Sequence, residues 1–291
     1  MDKVSLAKRA YLLQINSRTL AEGMRSGSFK SLYRGHGIDF NGVREYIRGD
    51  DIRSIDWNVT ARNNKPYVKV FNEERDLDVL LLIDRSLSMD TGCGNESRLE
   101  TAFECASLMT MACQHNASSV GAVIFDGSIN FSSAPKVGYQ QAMMLLAQYE
   151  KNQTASKTGT ALEGALQGAV KLLKKRSLVM IFSDFRVDGW IKPFAHLCHK
   201  HDVVAVRITD PLDDQLPSIG SVYFEDPESR DKKLFPTSLS TFQRRWRESN
   251  LLREDLWKRE VIRRGGIPLL LSTASSPAIE LTHFFAARER K

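Results

Sequence analysis

An acid and two hydroxyls follow directly on an apolar run in Leu80-Leu81-Leu82-Ile83-Asp84-Arg85-Ser86-Leu87-Ser88. Two further oxygen donors stand downstream. Thr160 lies in Thr158-Gly159-Thr160-Ala161-Leu162, and Asp184 ends Leu178-Val179-Met180-Ile181-Phe182-Ser183-Asp184. A lone D-x-S-x-S is a weak pattern. Asp84, Ser86, Ser88, Thr160 and Asp184 together offer two carboxylates and three hydroxyls from three loops. Hard divalent cations prefer such all-oxygen sets, and Mg²⁺ at about 2.1 Å usually keeps water in its shell. The set therefore predicts a site for Mg²⁺, with Mn²⁺ or Ca²⁺ as alternatives. Each residue taken alone would be read as a helix cap or a turn former.

These donors need a scaffold that brings distant loops together. Leu80–Ile83 and Leu178–Phe182 are short, apolar and unpunctuated, as strands buried on both faces of a parallel sheet are. Ligands of open parallel sheets gather beyond the carboxyl ends of the strands, where Asp84 and Asp184 stand. Around them, Ser97-Arg98-Leu99-Glu100 is a capping box that opens a helix to about His115. Strands are expected at Val120–Phe125, Ile129–Ser132 and Val203–Ile208. Helices are expected at Tyr139–Tyr149, from Thr160 to Lys174, and near Trp190–His201. The alternation predicts an α/β fold with a doubly wound, mostly parallel sheet and helices on both faces. A hairpin (Val222–Glu225 with Lys233–Phe235), a basic helix, a strand at Ile267–Leu271 and a helix opened by Ser276-Pro277 complete the chain.

Ahead of this core, Val4–Met24 reads as a helix and Arg25–Gly37 as a Gly/Ser-rich connection. Residues 37–76 alternate apolar and polar around turns, as short antiparallel strands do. Arg44, Arg48, Asp50, Asp51, Arg53, Asp56 and Arg62 are expected to form a charge network, and Tyr46 and Trp57 to pack. The chain thus divides into an N-terminal helix and β-rich segment (1–76), a core carrying the metal site (77–210) and a C-terminal extension packed on it (211–291).

The ordered set resembles the metal-ion-dependent adhesion site of von Willebrand factor A-type (vWA) domains. In that pattern Asp84, Ser86 and Ser88 form the first loop, Thr160 the second and Asp184 the third. Gly159-Thr160 with Ala165-Leu166 matches the family's G-T-x-x-x-x-A-L stretch, which favours Thr160 over its neighbour Thr158. Phe185 departs from the glycine common after the last aspartate. The R-E-Y-x-x-G-D-D-x-R-x-I-D-W block at Arg44–Trp57, the Ala61-Arg62 pair and the run into Asp84 resemble the bacterial vWA-containing family DUF58 over nearly the whole chain. That resemblance implies a non-catalytic adaptor for a MoxR-type AAA+ ATPase, or for a client protein presenting an Asp or Glu to the metal, in assembly, activation or quality control.

Composition narrows the alternatives. Charged residues make up 26% and hydrophobic residues 42% of the 291, ordinary for a globular protein. No run approaches the ~20 apolar residues of a membrane span, and the polar start is unlike a secretion signal, so a cytoplasmic protein is expected. Cys93, Cys105, Cys113 and Cys198 include no C-x-x-C pair, and Cys105 and Cys113 read as buried thiols in a helix. The net charge of +6 is concentrated in residues 238–264, where eight Arg or Lys face four acids. Leu239, Phe242 and Trp246, with Leu252 and Leu256, follow helical spacing there, which predicts an amphipathic helix with a basic solvated face. No nucleic-acid module accompanies it, although a basic scaffold for nucleic acid or an anionic membrane is an alternative function. A metal-dependent phosphoester hydrolase is another. It is disfavoured, because the first loop carries no D-x-D nucleophile pair, the chain shows no P-loop, no clear general base stands near the site, and the histidines are scattered.

Overall fold

In the computed structural model, the described residues are 16–24, 37–47, 50–63, 65–74, 77–93, 96–151, 161–225 and 231–287. They fall into two units, residues 30–77 and residues 1–29 with 78–291. Residues 16–24 are helical (α1), the described part of the expected Val4–Met24 helix.

Within residues 30–77, β1 (Gly37–Glu45) pairs antiparallel with β2 (Tyr67–Glu74), with a register shift between Phe40 and Gly42. A 3-10 turn at Ile52–Ser54 and a helix, α2 (Trp57–Asn63), lie between them. Among the described residues, the expected charge network shows one bidentate pair, Arg44 Nη1 and Nη2 to Asp50 at 2.7 Å each. Asp51 and Asp56 instead accept backbone N–H groups, from Arg53 at 2.9 Å and from Asn58 at 3.0 Å. Short acidic side chains ahead of a helical turn satisfy its unpaired donors, and that use competes with pairing to arginine. Arg48 lies outside the described residues. Trp57, expected to pack, is 67% exposed at the start of α2.

In the larger unit, a six-stranded sheet runs β10-β7-β6-β3-β4-β5. Its members are β3 (Asp78–Asp84), β4 (Ser119–Phe125), β5 (Ile129–Lys136), β6 (Leu178–Ser183), β7 (Asp202–Thr209) and β10 (Ile267–Ser272). A separate hairpin joins β8 (Ser221–Glu225) to β9 (Lys232–Pro236). All sheet pairings are parallel except β4 with the edge strand β5. The strand expected at the end of the C-terminal extension, β10, lies within this sheet beside β7.

The helices are α3 (Arg98–His115), α4 (Tyr139–Glu150), α5 (Leu162–Leu172), α6 (Ile191–Lys200), a short α7 (Pro211–Asp214), α8 (Ser240–Arg263) and α9 (Pro277–Ala286). One core joins α5, α6 and the buried side of α8 to Leu80, Leu82, Val123, Val179, Ile181 and Val203. On β3, Leu81 and Ile83 are also fully buried, so both sides of the strand are covered. Each such side chain contributes about 1.5–3 kcal/mol of transfer free energy. Ser97 and Glu100 form the expected capping box at the start of α3. Cys105 and Cys113 are buried, and burial pushes the Cys113 thiol up to about 12. At the end of α6, His196 and His199 are exposed, while His201 is buried and burial holds its imidazole below the ordinary range.

The basic helix departs from its expected pattern. Leu252 and Leu256 face solvent, while Asn250, Trp257 and Val261 are buried. Phe242 and Trp246 of the expected stripe pack on Phe235 of the hairpin, whereas further along the helix Trp257 and Val261 take the buried side in place of Leu252 and Leu256.

Candidate metal centre

The chain runs from β3 outward to β4 on one side, while β6 flanks β3 on the other, so the strand order reverses beside β3. That is where loops from neighbouring parallel strands splay apart and leave a crevice. The parallel register sets Ile83 against Phe182, which brings Asp84 and Ser183 side by side at the carboxyl edge.

Asp84 is 1% exposed. Its Oδ1 accepts the Ser86 N–H at 2.9 Å, closing the first loop, and its Oδ2 accepts the Ser183 hydroxyl at 2.6 Å. Ser86 is also buried, and its Oγ lies 3.0 Å from Ser88 Oγ. Burial and then the Asp184 charge push the Asp84 carboxyl up to about 6, against the lowering effect of the Ser183 and Ser86 hydrogen bonds. Two desolvated carboxylates that repel each other favour either a proton or a cation between them.

Asp184 is 4% exposed, and its Oδ1 accepts the Arg186 N–H at 3.1 Å. Its Oδ2 is buried without a hydrogen-bond partner, with Arg186 Nε 3.7 Å away. A buried carboxylate oxygen left without a donor is costly, and a bound cation would satisfy it. Asp84, Ser86, Ser88 and Asp184 are thus brought together, with an all-oxygen donor set that fits a hard divalent ion. Among the described residues there is no group of three or more His, Cys, Asp or Glu that could hold a metal, so an ion at this place would have to draw on the hydroxyls. Thr160 and its neighbour Thr158 lie outside the described residues. The next residue, Ala161, donates its N–H to the Asp126 carbonyl at 2.5 Å, just beyond the end of β4.

Phe185, in the position where glycine was noted, has φ +53. A non-glycine residue in this region is strained. The ring is held by Trp190 at 5.2 Å and by Trp257 of α8 at 5.4 Å, and this packing offsets the strain. The buried stripe of the basic helix therefore supports the third loop.

A charge relay that the sequence did not reveal runs away from the site. Asp213 accepts Arg98 Nη2 at 3.0 Å and Arg186 Nη2 at 2.5 Å. Arg98 also reaches the Thr91 hydroxyl and the Ser88 carbonyl, the latter at 3.3 Å. Burial pushes the Asp213 carboxyl up, but Arg186, Arg98 and the Asp210 N–H outweigh it and hold it below the usual range. Helix α8 fixes this corner, with Asn250 Nδ2 donating to the Asp213 carbonyl at 2.5 Å and Trp246 Nε1 to the Leu212 carbonyl at 2.9 Å. The only local signals were the Asp210-Pro211 cap and the placement of Arg186 two residues after Asp184. Beside these groups opens a cleft of about 590 Å³, lined among others by Ser86, Ser88, Asp184, Arg186, Phe235 and Trp246.

Comparison with known proteins agrees with this architecture. An uncharacterized protein of Mycobacterium tuberculosis is 28% identical over 299 residues, covering 100% of this chain and 92% of the relative. A Mycobacterium bovis protein of the same description matches equally. The solved structure of an aerotolerance-related membrane protein from Bacteroides fragilis, carrying multiple mutations to serines, superposes with a TM-score of 0.52 at 16% identity. It covers 74% of this chain and 98% of its own, and the likeness is one of fold, a vWA-like α/β sheet. The model of the family described as "Protein of unknown function DUF58" matches residues 42–254. The chain belongs to the DUF58 family and carries its vWA-like fold.

Proposed function

We propose that this protein is a non-catalytic, cation-dependent protein-binding adaptor. The observation that carries the reading is the buried pair Asp84 and Asp184, one oxygen of which has no hydrogen-bond partner, at the edge of an open cleft. Asp84, Ser86, Ser88 and Asp184, with Thr160 from the second loop, would hold Mg²⁺. When bound, the ion would supply an electrophilic position that an Asp or Glu of the partner completes. The chain's own residues do the rest: Ser183 and the Ser86 N–H orient Asp84, Arg186 braces Asp184, and Phe235 with Trp246 gives the partner an apolar wall beside the charged anchor.

The chemistry of the cleft supports binding over turnover. Its described lining contains no histidine or cysteine; Asp210 and Asp213 are held below the ordinary carboxylate range and make poor bases at neutral pH, while Asp84, pushed up by burial, has both oxygens engaged by Ser183 and the Ser86 N–H. The family resemblance supports a MoxR-type AAA+ ATPase as the partner, in assembly, activation or quality control. A cytoplasmic setting is supported by four free cysteines and, among the described residues, by the lack of any helix long and apolar enough to cross a membrane. Pull-down of the cognate ATPase is expected to succeed with Mg²⁺ and to fail with EDTA or with Asp84→Ala. Binding retained under both conditions overturns the reading. So does turnover of phosphoester substrates that is lost in Asp184→Ala.

A further inference from the structure

The solvent face of α8 carries Leu251, Leu252, Leu256 and Ile262, exposed by 46%, 62%, 53% and 61%. Isolated exposed leucines are ordinary, but Leu252 and Leu256 lie one turn apart, with Leu251 and Ile262 along the flank of the same solvent side. Its charges are arranged about a centre. Leu252 and Leu256 are one helical turn apart, Glu248 stands one turn before Leu252, and Arg259 three residues after Leu256. At 3.6 residues per turn all four fall within a sector of about 80° on one side of the helix. Glu248 is exposed, and its neighbour Arg244 is 4.0 Å away at best.

From this pattern we propose that α8 is the interface of a two-fold symmetric homodimer, in which two copies of the helix pack antiparallel. In a two-fold interface the same patch meets itself, so it must be self-complementary. A dyad between residues 253 and 254 sets Glu248 of each copy opposite Arg259 of the other. The leucines at 252 and 256 of both copies then close around the axis. Opposite charges meet at both ends of an apolar centre, and the reverse, parallel arrangement would oppose like charges. The opposite stripe of α8, with Trp257 and Val261, remains in the core, so the dimer needs no rearrangement of the fold.

Sedimentation equilibrium of the full chain tests this, with and without Mg²⁺, since the interface is separate from the metal loops. The wild type is expected to dimerise in both conditions. Glu248→Arg and Arg259→Glu are each expected to weaken the dimer roughly tenfold, because each opposes two like charges in the symmetric pair, and the double swap to restore it. Both positions are exposed, so folding is not at risk. A wild type that stays monomeric at about 100 µM, well above the range of specific association, overturns the proposal. So does a double swap that fails to recover. Monomers that instead sediment with phosphatidylserine vesicles, and lose this in Arg259→Glu, overturn it in favour of a membrane surface.

Discussion

Ser183 donates its hydroxyl to Asp84 Oδ2 at 2.6 Å, joining the last residue of one central strand to the last residue of its neighbour. Ser183 is no ligand of the proposed cation, yet it holds one Asp84 oxygen while the Ser86 N–H holds the other. Ser183→Ala removes the donor and leaves a buried acceptor unsatisfied. Stability in EDTA is expected to fall by about 1–3 kcal/mol in urea denaturation, and cation affinity to fall with it.

Asp184→Asn is expected to act in opposite directions with and without metal. In EDTA it relieves the charge that raises Asp84 and stabilises the fold by about 1 kcal/mol, read as a higher Tm. The same variant should lose the Tm increase that millimolar Mg²⁺ gives the wild type. A variant destabilised in EDTA and still stabilised by Mg²⁺ would contradict the shared site.

Phe185→Gly separates strain from packing. Glycine at φ +53 recovers about 1 kcal/mol of backbone strain. Losing the ring between Trp190 and Trp257 costs about 3–5 kcal/mol. Packing wins, so a net loss of about 2–4 kcal/mol is expected on chemical denaturation, the sum of these two effects.

Asp213 supplies the acid dependence. Its folded carboxyl is held below the unfolded value, so the stability it contributes is fully present above the ordinary carboxylate range. That contribution is lost as pH falls through the depressed folded value. Asp213→Asn should cost about 2–4 kcal/mol at neutral pH, with Arg98 left buried beside it. The gap between wild type and variant should narrow from about pH 4 downward. A gap that is constant with pH would place the loss in shape and not in charge.

The central strands and the two aspartates at their ends were legible in the sequence, because strands covered on both sides must be apolar throughout and end where ligands gather. The pairing of Asp84 with Ser183 was not, since it depends on the register between strands about a hundred residues apart in sequence. The Arg98–Asp213–Arg186 relay was hidden for the same reason. Leu252 and Leu256 show the limit of periodicity: the spacing identified a helix with an apolar stripe, but two stripes were available, and tertiary packing buried Trp257 and Val261. Trp57 was misjudged by residue type alone, as a large aromatic that the fold leaves in solvent.

The most direct test is a Mn²⁺ binding isotherm followed by electron paramagnetic resonance on the wild type, Asp84→Ala and Asp184→Ala. A single Mn²⁺ site displaced by Mg²⁺, present in the wild type and lost in both variants while they remain folded, is the expected result. No binding at millimolar Mn²⁺, or binding unchanged in the two variants, would contradict a cation held between Asp84 and Asp184.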